Sequence, residues 1–288
     1  MQPQNGGLAV LFDFDGTLVN TLPTVAECLR LAWQRVMGAS AEPDEAELLR
    51  YIGEPLADIM TKLLAQRCGV RIDDGKGRVT VTASLASPAG PVPGPTPEQE
   101  WMQERTQQLV LAYRQLYEPL AARAQPFPGT LEMLHELQAR GVACGIVTNK
   151  RRPVAMQLIR SLRMETLFDV IIGIEDVQHP KPAPEPLWVA ADRLGVQPRN
   201  VVYVGDSQAD IEAGRAARVG RVALVWWGVA GQLWQRQHPD DPGPPPVAEL
   251  SPLPVDAILR QWTELDPILE ELDRDREEGR PVGIQQPG

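Results

Sequence analysis

Cysteine, histidine and aromatic side chains are scarce in this 288-residue chain, and basic residues are outnumbered by acidic ones. The three cysteines, Cys28, Cys68 and Cys144, are far apart and form no Cys-x-x-Cys pair. That spacing excludes a disulfide framework and a thiolate metal site, so they are expected to be buried, reduced and inert. His135, His179 and His238 are too dispersed to form a metal cluster. No apolar run approaches the about 20 residues that span a bilayer, and residues 1–7 lack the basic and apolar regions of a signal peptide. A soluble, cytoplasmic protein is the expectation. With 28 Lys and Arg against 38 Asp and Glu, a net charge of −10, the broad basic surface that nucleic acid or an anionic membrane requires is missing.

What is present is a 43% hydrophobic content and enough length for one sizeable core plus a smaller unit. Five short β-rich runs occur at 8–12, 142–147, 170–172, 201–204 and 222–225. Between the later ones lie helical patterns at 130–140, 153–163, 185–194 and 210–218, punctuated by proline at one start and by glycine after three of the ends. Nearly all-apolar strands alternating with helices predict an α/β fold, a doubly wound parallel (Rossmann-like) sheet covered on both faces. Only the interval from 21 to 125 breaks the rhythm. Its amphipathic stretches at 23–37, 44–51, 56–68 and 97–117 predict an all-helical cap inserted between the first two strands.

The expected organisation is therefore a catalytic core over 1–20 and 126–235 and a cap over 21–125, with the proline-rich Pro126-Phe-Pro-Gly129 as the return hinge. Within the cap, 69–97 reads as a low-complexity excursion, with a hairpin arm at 78–85 and polyproline character at 88–97. After the core, 236–288 reads as a proline-rich linker, a terminal helix over 255–274 and a disordered tail.

The chemistry concentrates at the predicted strand ends. The run LAVLFDFDGTLVNT, residues 8–21, ends its strand in Asp13 and Asp15. Residues i and i+2 of a strand share a face, so both carboxylates leave on one side, and Gly16 lets the chain turn. Two acids in the crevice where open α/β sheets bind ligands suit a hard cation with covalent or acid/base chemistry, although Asp-x-Asp-Gly also serves as plain turn chemistry. The second run leads into Thr148-Asn149-Lys150, which supplies a hydroxyl and backbone N–H groups before the next helix; a helix cap is the alternative for Thr148. Lys181 is presented by the four-proline segment 179–186, the alternative being a solvated surface lysine. The fourth run ends at Gly205-Asp206-Ser207, and Asp210 opens a helix, where N-capping would also account for it.

Taken in this order, Asp13-Phe-Asp15-Gly-Thr-Leu, Thr148, Lys181 and Gly205-Asp206-Ser-x-x-Asp210 resemble the four motifs of the haloacid dehalogenase-like hydrolase superfamily, helical-cap subclass. The resemblance covers 8–36 and 127–228. Residues 146–150, 181–186 and Trp227-Gly228 look most like the phosphoglycolate phosphatase and pyrophosphatase branch, from which Ala217-Arg218-Val219-Gly220 departs at a helix end.

The resemblance implies a Mg²⁺-dependent phosphatase acting on a small phosphorylated metabolite. Asp13 would be the nucleophile that forms an aspartyl-phosphate and Asp15 the proton carrier. Thr148, Asn149, Gly16 and Lys181 would bind the phosphate. Mg²⁺ would be held by Asp13, the Asp15 carbonyl and Asp206, with Asp210 supporting the site from behind. The cap would close over the site and choose the leaving group, with Ile52-Gly53-Glu54-Pro55, Arg50 and Lys62 as candidates, and Arg151 and Arg152 as candidates for a substrate carboxylate. Pyrophosphate, sugar phosphates and nucleotides fit the same core chemistry, and monomer and dimer stay open. A metal-free dehalogenase is disfavoured by Asp15, Asp206 and Asp210. A phosphomutase lacks a clear cap base, and a Schiff-base role for Lys62 has no support. From another class, the chain could be an inactive binding module recruiting partners through its proline-rich segments.

Overall fold

The computed structural model describes residues 7–39, 42–69, 96–240, 243 and 255–280. The expected hairpin arm at 78–85, most of the proline-rich stretch at 88–97, most of the linker at 239–254 and the end of the tail lie outside the described residues. The chain divides into two compact units, one of residues 1–23, 52–55 and 121–288, the other of 24–51 and 56–120.

The first unit begins with β1 (Ala9–Phe12), and the two-residue β2 (Val19–Asn20) pairs antiparallel with β3 (Gln125–Pro126). Then follow α5 (Thr130–Ala139), β4 (Ala143–Val147), α6 (Arg152–Ser161), β5 (Val170–Ile172) and α7 (Glu185–Leu194), α1 to α4 being the helices of the second unit. The unit continues through β6 (Val201–Gly205), α8 (Gln208–Ala217), β7 (Arg221–Val225), α9 (Val229–Gln237), β8 (Ala257–Leu259) and α10 (Leu265–Glu277). Six strands form one parallel sheet in the order β5-β4-β1-β6-β7-β8.

Alternation sorts the strand residues onto two faces. Val10, Phe12, Ile146, Val202 and Val204 join a core with Leu134, Ile159 and Leu269, whereas Leu11, Val147, Tyr203 and Leu224 join one with Leu187, Ala190 and Ile211. Both faces are therefore covered by helices, as the apolar strands require. Strand order reverses between β1 and β6, so their carboxyl ends open the crevice in which such sheets bind ligands.

The expected terminal helix over 255–274 is corrected. Residues 257–259 are a sixth strand, and α10 begins only at Leu265. Without β8 the edge of β7 would leave its backbone groups unpaired. Instead Asp256 accepts the Val222 N–H at 2.7 Å, and Trp226 N–H donates to Leu259 O at 2.8 Å. Trp262, between strand and helix, packs edge-on against Phe12 and Trp227 and donates its indole N–H to Thr130 at 3.0 Å. The β2–β3 pair, too short to leave an alternating pattern, is the other strand pairing not foreseen.

Cys28 and Cys144 are buried, and burial together with Asp169 pushes the Cys144 thiol up to about 12. Cys68 is exposed, contrary to expectation, because it is the last residue of its helix.

In the second unit the described residues form the greater part of α1 (Leu22–Met37), α2 (Glu45–Tyr51), α3 (Leu56–Cys68) and most of α4 (Pro97–Ala121). The apolar stripes read from the sequence, including Leu29, Trp33, Leu49, Met60, Leu64 and Leu109, are buried. No described helix is long and apolar enough to cross a membrane.

Candidate active site

Asp13 follows the last residue of β1 and continues the ladder, its N–H donating to Val204 O at 2.8 Å. Asp206 follows β6, the adjacent strand, and Asp210 lies in the first turn of α8. The three carboxylates are buried, with oxygens within 4.8 Å of one another, and Asp15 is not part of this group. Two glycines make room for Asp206: a Cβ on Gly16, where φ is +82°, would come within 2.3 Å of its Oδ2, and one on Gly228 within 2.2 Å of its Cβ.

Lys181 is 2% exposed, which rules out the reading of a solvated lysine. Its ammonium contacts Asp13 Oδ1 at 2.8 Å, Asp210 Oδ1 at 2.7 Å, Val147 O at 3.0 Å and the Tyr203 hydroxyl at 3.0 Å. The cis Lys181–Pro182 bond lies in the same loop.

Asp210 is saturated. Its Oδ1 accepts from Lys181 and from Tyr203 at 2.7 Å, while its Oδ2 accepts from the Ser207 hydroxyl at 2.6 Å, Ser207 N–H at 3.0 Å and Asp206 N–H at 3.3 Å. Five donors meet a carboxylate with about four lone-pair directions. Asp206 is less committed, accepting Val229 N–H at 2.8 Å and Thr17 Oγ1 at 3.4 Å.

Fully ionised, three buried carboxylates and one ammonium would leave an excess of two negative charges. Burial pushes Asp13 up to about 7, against the pull of Lys181 and with help from Asp210. Burial, then Asp13 and Asp210, holds Asp206 well above the carboxylate range. Asp210 alone is lowered: burial opposes this, but Lys181, Ser207 and Tyr203 outweigh it. Burial also works against the Lys181 ammonium, yet Asp13 and Asp210 hold it above its usual value. Asp13 thus shares its ammonium with Asp210, a compensation that falls short for Asp13 and Asp206, and a divalent cation beside them would supply the rest.

Thr148, buried after β4, puts its N–H into the sheet toward Ile172 O at 3.0 Å, and its hydroxyl oxygen accepts Lys150 N–H at 3.1 Å. The hydroxyl hydrogen remains to be donated elsewhere. The Asn149 side chain staples the Lys181 loop: Oδ1 accepts Lys181 N–H at 3.0 Å, and Nδ2 donates to Lys181 O and to Gly53 O, both at 2.9 Å. Gly16, expected at the phosphate, donates its N–H to Val19 O at 2.9 Å and gives room to Asp206.

Asp15 stands in a different setting. Its Oδ1 accepts from the Thr21 hydroxyl and from Lys150 Nζ, both at 2.6 Å, and its side chain is 16% exposed. Of the expected substrate-selecting residues, 52–55 belong to the first unit, and Gly53 lies against Ser207, where a Cβ would come within 2.7 Å of Oγ. Arg50 and Lys62 belong to the second unit. Arg151 and Arg152 are half-exposed and paired with Glu175 and Asp176.

Sequence reasoning gave no role to Tyr203, Ser207, Thr21 or Lys150. Tyr203 carries a signal: a polar tip within the apolar run VVYVG must find a partner once buried. The pairing of Lys150 with Asp15 links positions 135 apart and leaves no local trace.

Residues 8–218 match the family model described as haloacid dehalogenase-like hydrolase. Over 232 residues the chain is 32% identical to the phosphoglycolate phosphatase of Shigella boydii, covering 80% of this chain and 86% of the relative. The crystal structure of a hydrolase from Pseudomonas syringae superposes with a TM-score of 0.66 at 18% identity, covering 92% of this chain and 98% of that one. A haloacid dehalogenase-like family protein from Streptococcus pneumoniae gives 0.61 at 19%, covering 91% and 98%.

Proposed function

The chain belongs to the haloacid dehalogenase-like hydrolases, and from that premise we propose that it hydrolyses a small phosphomonoester of the phosphoglycolate kind through an aspartyl-phosphate on Asp13. The observation that carries this reading is the cluster itself: a buried carboxylate at a strand end, bound by a buried lysine and joined by two further buried carboxylates. The relative named phosphoglycolate phosphatase supports the choice of substrate class.

Asp13 attacks phosphorus, and the bond from phosphorus to the ester oxygen breaks as the Asp13–phosphorus bond forms. Asp15 hands its proton to the departing oxygen. It then takes a proton from the water that attacks phosphorus, releasing phosphate and restoring Asp13. Thr21 and Lys150 fix Asp15 through Oδ1, which leaves Oδ2 as the oxygen that handles the proton. The Thr148 hydroxyl and the backbone around it would bind the phosphoryl oxygens, and Lys181 would offset the charge that gathers on them. Mg²⁺, held by Asp13, Asp206 and the Asp15 carbonyl, would neutralise the phosphate so that it can approach two carboxylates. Asp210, its oxygens filled by five donors, holds Lys181 from behind.

Phosphate release from 2-phosphoglycolate, pyrophosphate, sugar phosphates and an aryl phosphate, with Mg²⁺ and with a chelator, tests the reading. Mg²⁺-dependent turnover with the highest kcat/KM on 2-phosphoglycolate is expected. Turnover unchanged by chelation, or preserved in Asp13→Asn, would overturn it.

A further inference from the structure

Tyr203 is the one polar side chain in β6, and it is fully buried. Its ring lies in the core formed by Leu11, Ile211 and Val222. Helix α8 gives way to it at Gly214, where a Cβ would stand 3.2 Å from the ring and 2.7 Å from Val222. Phenylalanine would fill that space equally well, so the hydroxyl calls for its own explanation. A buried hydroxyl without partners costs free energy, and this one has two, both charged. It donates to Asp210 Oδ1 at 2.7 Å and accepts from Lys181 Nζ at 3.0 Å.

Lysine, tyrosine and aspartate therefore close a ring of hydrogen bonds, because Lys181 also reaches the same Asp210 oxygen. The ammonium has three protons and four oxygen neighbours, one of them the nucleophile Asp13. Without the hydroxyl, its contacts on the Asp210 side fall to a single carboxylate oxygen, and Asp210 Oδ1 loses a donor. The head of Lys181 is then less constrained relative to Asp13, and displacements on the order of 1 Å cost about 100-fold in turnover.

We propose that Tyr203 is a positioning residue of this reaction: its hydroxyl fixes Asp210 and the Lys181 ammonium relative to Asp13, so that the lysine charge meets the phosphoryl oxygens. The inference rests on the phosphatase reading above. It adds a residue that touches neither substrate nor metal and acts through two that hold the site.

The test is Tyr203→Phe, compared with wild type for turnover and for calorimetric binding of beryllium trifluoride in Mg²⁺, a mimic of the phosphoryl group on Asp13 that needs no turnover. Outer partners of this kind are worth about 10- to 100-fold. We expect kcat to fall by about that factor, KM to change by less than about threefold, beryllium trifluoride to bind about 10-fold more weakly, and the melting temperature to stay close to wild type. In an Asp210→Asn background the same substitution should add little, because the hydroxyl acts through that carboxylate.

Wild-type kcat and beryllium trifluoride affinity in Tyr203→Phe would overturn the proposal. So would a loss confined to melting temperature, which marks a packing role. Should Tyr203→Phe fail to fold, 3-fluorotyrosine at position 203 gives the same answer: its ¹⁹F resonance should shift when beryllium trifluoride binds, and an unmoved resonance overturns the proposal. A wild-type protein that binds beryllium trifluoride but releases no phosphate would overturn the phosphatase reading and leave the Tyr203 comparison decisive. An active wild type matched by Tyr203→Phe would overturn the Tyr203 role alone.

Discussion

Asp13 and Asp15 are one residue apart on either side of Phe14, yet their surroundings share almost nothing. Asp13 lies on a closed floor of Lys181, Asp210, Tyr203 and Asp206, where burial drives its carboxyl up to about 7. Asp15 lies on an open rim, held by one hydroxyl and one partly exposed lysine. In the proposed mechanism the same residue type takes two jobs through environment: a nucleophile fixed by a saturated network, and a proton carrier held by two partners. The charged floor residues should therefore couple stability to activity, whereas Tyr203 and the rim residues should affect activity almost alone.

The largest effect should come from Asp13→Asn, which removes the nucleophile and is expected to lower kcat by about 10⁴-fold or more. Next is Lys181→Met. Removing the cation of this cluster leaves three carboxylates facing one another, at a cost of about 3–5 kcal/mol of stability, read by denaturant midpoint, together with about 10³-fold in kcat. On the rim, Asp15→Asn should cost about 10²- to 10⁴-fold in kcat with little change in melting temperature. That loss should shrink for aryl phosphates, whose leaving groups need less protonation, and an equal loss on alkyl and aryl esters would break the assignment of Asp15 as proton carrier. Lys150→Ala, which leaves the Thr21 hydroxyl to hold Asp15, should cost only a few-fold in kcat.

The floor also makes a pH prediction. Asp13 and Asp206 bind protons more tightly folded than unfolded, so between the unfolded value near 3.8 and the folded value of about 7 the native state carries extra protons. Metal-free stability should therefore fall as pH rises through that window, with the lowered Asp210 working in the opposite direction below it. Mg²⁺ should flatten the decline, which melting curves from pH 4 to 8 with and without Mg²⁺ would show. A metal-free melting temperature that rises from pH 5 to 7 would contradict the account of a floor with excess negative charge.

Floor and rim also differ in how far the sequence discloses them. Asp13, Thr148, Lys181, Asp206 and Asp210 each sit at a strand end or in the loop beyond it, so alternation of strand and helix suffices to bring them to one edge of the sheet. Tyr203 was hidden inside an apolar run because its ring obeys the strand pattern and only its oxygen departs from it. The pairing of Lys150 with Asp15 and the staple from Asn149 to Gly53 depend on loops brought together from 135 and 96 positions away, which no local period records. In the fold, β8 reads as helix in the sequence because three residues are too few to display a period of two, and its place is set by the open edge of β7. The phosphate role of Gly16 comes from the family resemblance, and the residue itself signals only a turn. Its contact with Asp206 becomes visible only when β1 and β6 are side by side.

The central claim, that Asp13 carries the phosphoryl group, is tested most directly by quenching a single turnover of 2-phosphoglycolate with borohydride and analysing the peptide that contains residue 13. An acyl phosphate at Asp13 would be reduced to homoserine at that position and nowhere else, and the product should vanish in Asp13→Asn. Rapid phosphate release with residue 13 recovered as unmodified aspartate, or with the reduced residue at Asp206 or Asp210, would contradict the account.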